Sequence, residues 1–262
     1  MSYLEELNGP REIGLFTKGS STYVIVVSEV DDGFEIIDIS NPEDPTSVSS
    51  CDDDSSCNAT RLNGASNVVV TTISGTTYAV VTATGEDPDG IAIIDISTDP
   101  TDLQYIGEMD DDADKELDGP NGIETATIGD KTYAIVVGQD DGIAIIDIST
   151  PSSPVYVSEI EDDADKELEY GRDVEVATIN GHTYAFVAAV DDDALAIIDI
   201  TNPSSPVYAG ELEDDSNKGG CTASQVCLDG AKGVVITEIG GKTYAVVTAH
   251  DDDGIEIIRV MG

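Results

Sequence analysis

Apolar and polar positions along this chain fall into short runs separated by turn residues, and nowhere into the three-and-four spacing of an amphipathic helix. The stretch GFEIIDIS at 33–40 returns as GIAIIDIS at 90–97 and 142–149, as ALAIIDIT at 194–201 and as GIEIIRV at 254–260. A companion run, TYVIVV from Thr22, recurs as TYAVVT from Thr77, TYAIVV from Thr132, TYAFVA from Thr183 and TYAVVT from Thr243. Both runs are rich in β-branched residues and bounded by Gly, Asp or Pro, which predicts strands. Their recurrence every 51 to 60 residues makes the chain a set of repeats.

Two more strands complete each unit. Upstream of each TY run lies a stretch such as DVEVATI (173–179) or GVVITEI (233–239), joined to it by a tight NGH, GGK or SGT turn. Downstream of each IIDIS run, the Pro-containing turns NPEDP, TDPTD, TPSSP and NPSSP precede strands such as VYVSEI (155–160) and VYAGEL (207–212). Four antiparallel strands per unit and almost no helix predict an all-β, five-bladed β-propeller. The blades run over approximately 10–52, 66–109, 122–160, 173–212 and 233–260, within a single domain of residues 1–262. Only four downstream strands follow their own blades, and SYLEEL (2–7) resembles VYAGEL, so the N-terminal strand is expected to complete the last blade and close the ring.

A unit such as TYAFVAAVDDDALAIIDITNPSSPVYAGEL (183–212) resembles the LVIVD repeat of bacterial and archaeal surface proteins, with AIIDI at the place of the name-giving motif. The resemblance covers nearly the whole chain. It implies an extracellular β-propeller and carries no catalytic residues over to this chain. Arg259 departs from it, standing where the other units carry Asp38, Asp95, Asp147 and Asp199.

Charge sharpens the picture. With 54 acidic against 11 basic residues the formal net charge is −43, so nucleic acid and anionic membranes are repelled and cations attracted. No apolar run is long enough to span a bilayer as a helix. In a four-stranded blade alternate loops share a face, and one set carries nearly all the acid: VDDG, EDPDG, QDDG, DDDA and DDDG between second and third strands, and DDDSS, DDSNK and two copies of DDADKEL (111–117 and 162–168) between blades. Candidate metal ligands are Asp111, Asp112 and Asp114, Asp162, Asp163 and Asp165, Asp214, Asp215 and Asn217, Asp53 and Asp54, with Asp140, Asp141, Asp192, Asp193, Asp252 and Asp253 from the hairpins. Short oxygen ligands at this density suit a hard cation, Ca²⁺ first. The competing reading is a solvated acidic face of a salt-adapted protein, since the full DxDxDG spacing is absent.

Cys51 with Cys57 and Cys221 with Cys227 are two C-x5-C pairs in loops between blades, for which local disulfides and an oxidising, extracellular location are the simplest reading. Asn58 heads an NAT glycosylation sequon. His182 lies in a turn and His250 begins an acidic loop, both read as solvated. Glu124 and Glu175 hold matching positions on first strands, where the other blades have Gly14, Val69 and Val235, so a carboxylate pair without a third acid is expected there.

Taken together, the sequence leads us to expect a non-enzymatic cell-surface structural or adhesive propeller of a marine or salt-adapted microbe with a Ca²⁺-binding acidic face. Its partners would be divalent cations, a surface glycan or protein, or further copies joined into a filament through the N-terminal strand. The alternative is a secreted glycan-binding or glycan-hydrolysing enzyme using the same face.

Overall fold

The structure, a computed structural model, describes residues 7–52, 62–85, 89–97, 103–112, 115, 117–139, 142–162, 166–214 and 226–260. All regular structure among them is β, in five antiparallel sheets. The first sheet is β1 (Pro10–Lys18), β2 (Ser21–Ser28), β3 (Gly33–Asp38) and β4 (Thr46–Asp52); the second is β5 (Ala65–Ile73), β6 (Thr76–Ala83), β7 (Gly90–Asp95) and β8 (Gln104–Asp110). The third holds β9 (Pro120–Ile128), β10 (Lys131–Gly138), β11 (Gly142–Asp147) and β12 (Val155–Glu161). The fourth holds β13 (Gly171–Ile179), β14 (His182–Ala189), β15 (Ala194–Asp199) and β16 (Val207–Glu213), and the fifth β17 (Ala231–Ile239), β18 (Lys242–Ala249) and β19 (Gly254–Arg259). The strand expected over 2–7 lies outside the described residues apart from Leu7. Among the described residues no helix is long and apolar enough to cross a membrane.

The chain forms two compact units, one of residues 1–113, 118–123 and 148–155, the other of 114–117, 124–147 and 156–262. In the first, Phe16, Ile25, Val27, Ile36, Val81 and Ile94 build a core between the first two sheets. In the second, β14 shows why its sequence is a continuous apolar run rather than an alternating one. Ala185 and Val187 enter one core with Val137, Val174 and Ile198, while Phe186 and Ala188 enter another with Leu195, Val234 and Val247. A strand buried on both faces needs apolar side chains at every position.

The repeated Asp of IIDIS has a structural role. Asp38, Asp95 and Asp199 each accept the backbone N–H two residues on, from Ser40, Ser97 and Thr201, at 2.8, 2.8 and 2.9 Å. The hydroxyls of Ser40 and Thr201 in turn accept the N–H of Thr22 and Thr183, both at 2.9 Å. This Asx turn ends the third strand and ties it to the start of the second. In the last repeat Arg259 offers no acceptor for it.

Candidate functional site

Strand β13 reads GRDVEVATI, and alternation sends Val174 and Val176 into the core while Asp173 and Glu175 share the opposite face. Asp173 is held from two sides. Its Oδ1 accepts the N–H of Val174 at 2.9 Å, and its Oδ2 accepts the N–H of Val234, on β17, at 2.8 Å. Gly233 stands just before Val234, leaving that approach clear of a side chain. Glu124 on β9 is half-buried, and its Oε1 accepts the N–H of Thr125 at 2.7 Å.

These three carboxylates feel one another. Burial raises the Glu175 carboxyl, and the charges of Glu124 and then Asp173 raise it further, to about 7. Burial also raises the Glu124 carboxyl; the Thr125 hydrogen bond opposes this and the Asp173 charge adds to it. The expectation that no third acid joins the pair is therefore corrected: Asp173, two residues before Glu175 on the same face, is that acid. Its signal in the sequence is period-two alternation along β13, a relation within one strand and not a match between repeats.

A carboxyl that is half-protonated near neutral pH beside carboxylates is the arrangement general acid–base chemistry requires. Both Asp173 oxygens are occupied by backbone N–H groups, which suits it to fixing the local charge. Glu124 has only one oxygen engaged by the backbone, which leaves the other for a reacting group.

The acidic loops are stitched to the backbone. Asp162 Oδ1 accepts the N–H of Leu168 at 2.9 Å and Asp214 Oδ1 that of Leu228 at 3.2 Å. Asp192 Oδ2 accepts from Glu169 at 2.7 Å, Asp193 Oδ1 from Gly230 at 2.8 Å and Asp252 Oδ2 from Asp229 at 3.1 Å. The backbone N–H of Asp111 donates to the Asp89 carbonyl at 2.8 Å, and Asp253 sits at φ 51° with its N–H 3.3 Å from the His250 carbonyl. Asp112 is exposed. Asp53, Asp54, Asp114, Asp140, Asp141, Asp163, Asp165, Asp215, Asn217, Cys57, Asn58 and Cys221 lie outside the described residues. Among the described residues no group of three or more His, Cys, Asp or Glu is disposed to hold a metal ion.

A second acidic group gathers around Glu167, whose carboxyl is raised to about 7, first by burial and then by Asp192, Glu213 and Glu211. The Glu167 N–H donates to the Tyr208 hydroxyl at 2.9 Å. His182 pairs with Asp199 at 3.2 Å and His250 with Asp251 at 2.7 Å. Neither described cysteine, Cys51 or Cys227, is a free thiol.

The family model described as the LVIVD repeat matches residues 21–53, 130–162 and 173–214. The chain carries LVIVD repeats. The third LVIVD segment contains Asp173 and Glu175, whereas Glu124 lies outside all three. No curated protein matches the chain.

Solved structures share the fold of these repeats. A thermostable family-43 glycoside hydrolase is 16% identical, with a TM-score of 0.56 over 100% of this chain and 93% of its own. An α-L-arabinofuranosidase from Lactobacillus brevis is 12% identical, at 0.56 over 98% and 92%. A protein from Lactobacillus plantarum is 17% identical, at 0.61 over 96% and 71%. At these identities the likeness is one of fold, the β-propeller, whose blades the sheets represent. Glycoside hydrolases recur among these structures. That finding overturns the expectation of a non-enzymatic structural or adhesive module: the architecture recurs in glycan-cleaving enzymes.

Proposed function

We propose that this chain is an extracellular glycan-acting protein, and that Glu124, Asp173 and Glu175 form its hydrolytic site. The observation that carries the reading is the grouping of Glu175 and Asp173, on one face of β13, with Glu124 of β9, where burial and then the neighbouring charges raise the Glu175 carboxyl to about 7. In this reading the Glu175 carboxyl donates its proton to the glycosidic oxygen as the bond to the anomeric carbon breaks. Glu124 uses its second oxygen to take a proton from the attacking water or to stabilise the developing positive charge. Asp173, fixed by the Val174 and Val234 N–H groups, keeps Glu175 protonated through its charge and is a positioning residue.

The finer architecture belongs to the same proposal: five blades, a ring closed by residues 2–7, disulfides Cys51–Cys57 and Cys221–Cys227, and glycosylation at Asn58. The match to the LVIVD repeat supports the extracellular location. Ca²⁺ is carried as the proposed counter-ion of the acidic loops.

The test is a screen of the full chain on aryl arabinofuranosides, xylosides and galactosides and on arabinan. Hydrolysis that falls about 100-fold or more in Glu175→Gln and in Glu124→Gln supports the reading. No hydrolysis of any glycan, or activity that survives both substitutions, overturns it.

A further inference from the structure

The first sheet contains a cavity that the repeat itself does not call for. At matching positions of β7 and β15, Ala92 and Ala196 are fully buried and face Glu108 and Glu211 on the adjoining strands. The Tyr105 hydroxyl donates to Glu108, and Tyr208 pairs with Glu211 in the same way. Each of these sheets therefore places a Tyr and a Glu, three residues apart on the last strand, over an alanine.

The first sheet inverts the arrangement. Glu35 stands where the alanine belongs and faces Ser50, while Ser47 occupies the tyrosine's place opposite Ile37. The acid has moved from the outer strand inward, and two serines have replaced the tyrosine and the glutamate. Beside these smaller side chains lies a cavity of about 220 Å³ lined by Glu35, Ser28, Ser47, Ser50, Asp31 and Asp52 among others.

Glu35 is only 5% exposed and makes no hydrogen bond or ion pair among the described residues. Its carboxylate opens onto the cavity, and among the described residues that line it there is no basic side chain. Asp31 and Asp52 add negative charge to the wall, so the ligand that suits it is a cation. The space is too large for a bare ion, and no three acidic groups converge among the described residues. Hydroxyls beside a single deep carboxylate suit a donor with several N–H bonds on an organic stem.

We propose that this cavity binds a primary ammonium group, with Glu35 as its charged acceptor and Ser47 and Ser50 as hydrogen-bonding partners. The group is carried either by a free amine or by the lysine side chain of another protein, and the chemistry at Glu35 is the same. This site is separate from the carboxylate group of β9 and β13 and does not depend on the hydrolytic reading.

The test is calorimetric titration of the full chain at physiological salt with 1,5-diaminopentane, with Nα-acetyl-lysine methyl ester and with CaCl₂. One saturable amine site is expected, weakened at least about tenfold in Glu35→Ala, a change that installs the residue found at Ala92 and Ala196. Ser47→Tyr with Ser50→Glu refills the cavity and should abolish the site. If Glu35→Ala lowers the thermal midpoint, the near-isosteric Glu35→Gln takes its place. Binding of the lysine derivative as well as the diamine indicates a side-chain ligand, and binding of the diamine alone a free amine; either supports the proposal. Amine binding unchanged by loss of the Glu35 charge, no saturable amine site, or Glu35-dependent Ca²⁺ binding in place of the amine overturns it.

Discussion

Asp162 closes its loop on Leu168: the carboxylate accepts the leucine N–H at 2.9 Å, and the Leu168 side chain is completely buried. These residues are the first Asp and the final Leu of the heptapeptide DDADKEL at 162–168. Asp214 and Leu228 repeat the relationship across a longer loop, again with a fully buried leucine. The acidic heptapeptide is thus a clamp and a plug at its ends, whatever ions its middle attracts.

Asp162→Ala should destabilise the protein by about 1–2 kcal/mol, the cost of leaving a backbone donor unpaired. Asp162→Asn keeps an acceptor oxygen and should recover most of that loss. Leu168→Ala should cost more, about 2–5 kcal/mol for a buried leucine. Denaturant unfolding of the three variants checks the order; equal losses in Asp162→Asn and Asp162→Ala would instead assign the effect to charge.

The Glu175 and Glu167 carboxyls, both raised to about 7, fix the sign of a pH effect. A carboxyl whose folded pKa lies above its unfolded value stabilises the fold fully below the unfolded pKa, and that contribution is lost as pH rises through the folded one. The loss should therefore fall between about pH 4.5 and 7. Glu175→Gln should match the wild type at pH 4 and exceed it at pH 8 by about 1 kcal/mol, a figure reduced for the group's partial exposure. Thermal midpoints across that range decide it, and a Glu175→Gln variant less stable at pH 8 would contradict the assignment.

Gly107 is required by close approach rather than by backbone conformation. A Cβ there would lie 2.3 Å from the Pro151 carbonyl oxygen, so Gly107→Ala must displace a proline turn and should cost about 1–3 kcal/mol. Gly19, at φ +62° with open space around it, offers the contrast: Gly19→Ala should cost about 1 kcal/mol, from backbone strain alone. Chemical denaturation of the two variants separates steric from conformational demand.

Much of this fold was legible because strand signals are local. Every TY run and every IIDI run became a strand, since β-branched residues bounded by Gly, Asp and Pro carry that preference without tertiary help. The candidate site was half legible. Glu124 and Glu175 stood out by matching position and Asp173 follows from period-two alternation along β13, but the hold of Asp173 on the Val234 N–H depends on how β13 and β17 are placed. Glu35 and Glu256 stand where the three middle units have Ala92, Ala144 and Ala196, yet the meaning of Glu35 needed the register that sets it opposite Ser50. The acids that clamp loop backbones could not be told from those facing solvent, because a loop's closing distance is not written in its composition.

The cysteine pairing can be settled by where trypsin cuts. Cleavage after Lys18 and Arg61 leaves Cys51 and Cys57 in one peptide, 19–61, and cleavage after Lys218 and Lys232 leaves Cys221 and Cys227 in another, 219–232. Local disulfides would therefore give two single peptides, each about 2 Da lighter than its reduced form by loss of two thiol hydrogens. Pairing between the two loops would instead join 19–61 to 219–232 as one species that separates on reduction. Each local bridge would close only a short loop, so its effect on the unfolded chain should be near the lower end of the usual 2–4 kcal/mol, and reduction should lower the thermal midpoint without unfolding the protein. Peptides of unshifted mass from protein kept oxidised throughout would rule out both pairings, and with them the extracellular location they support.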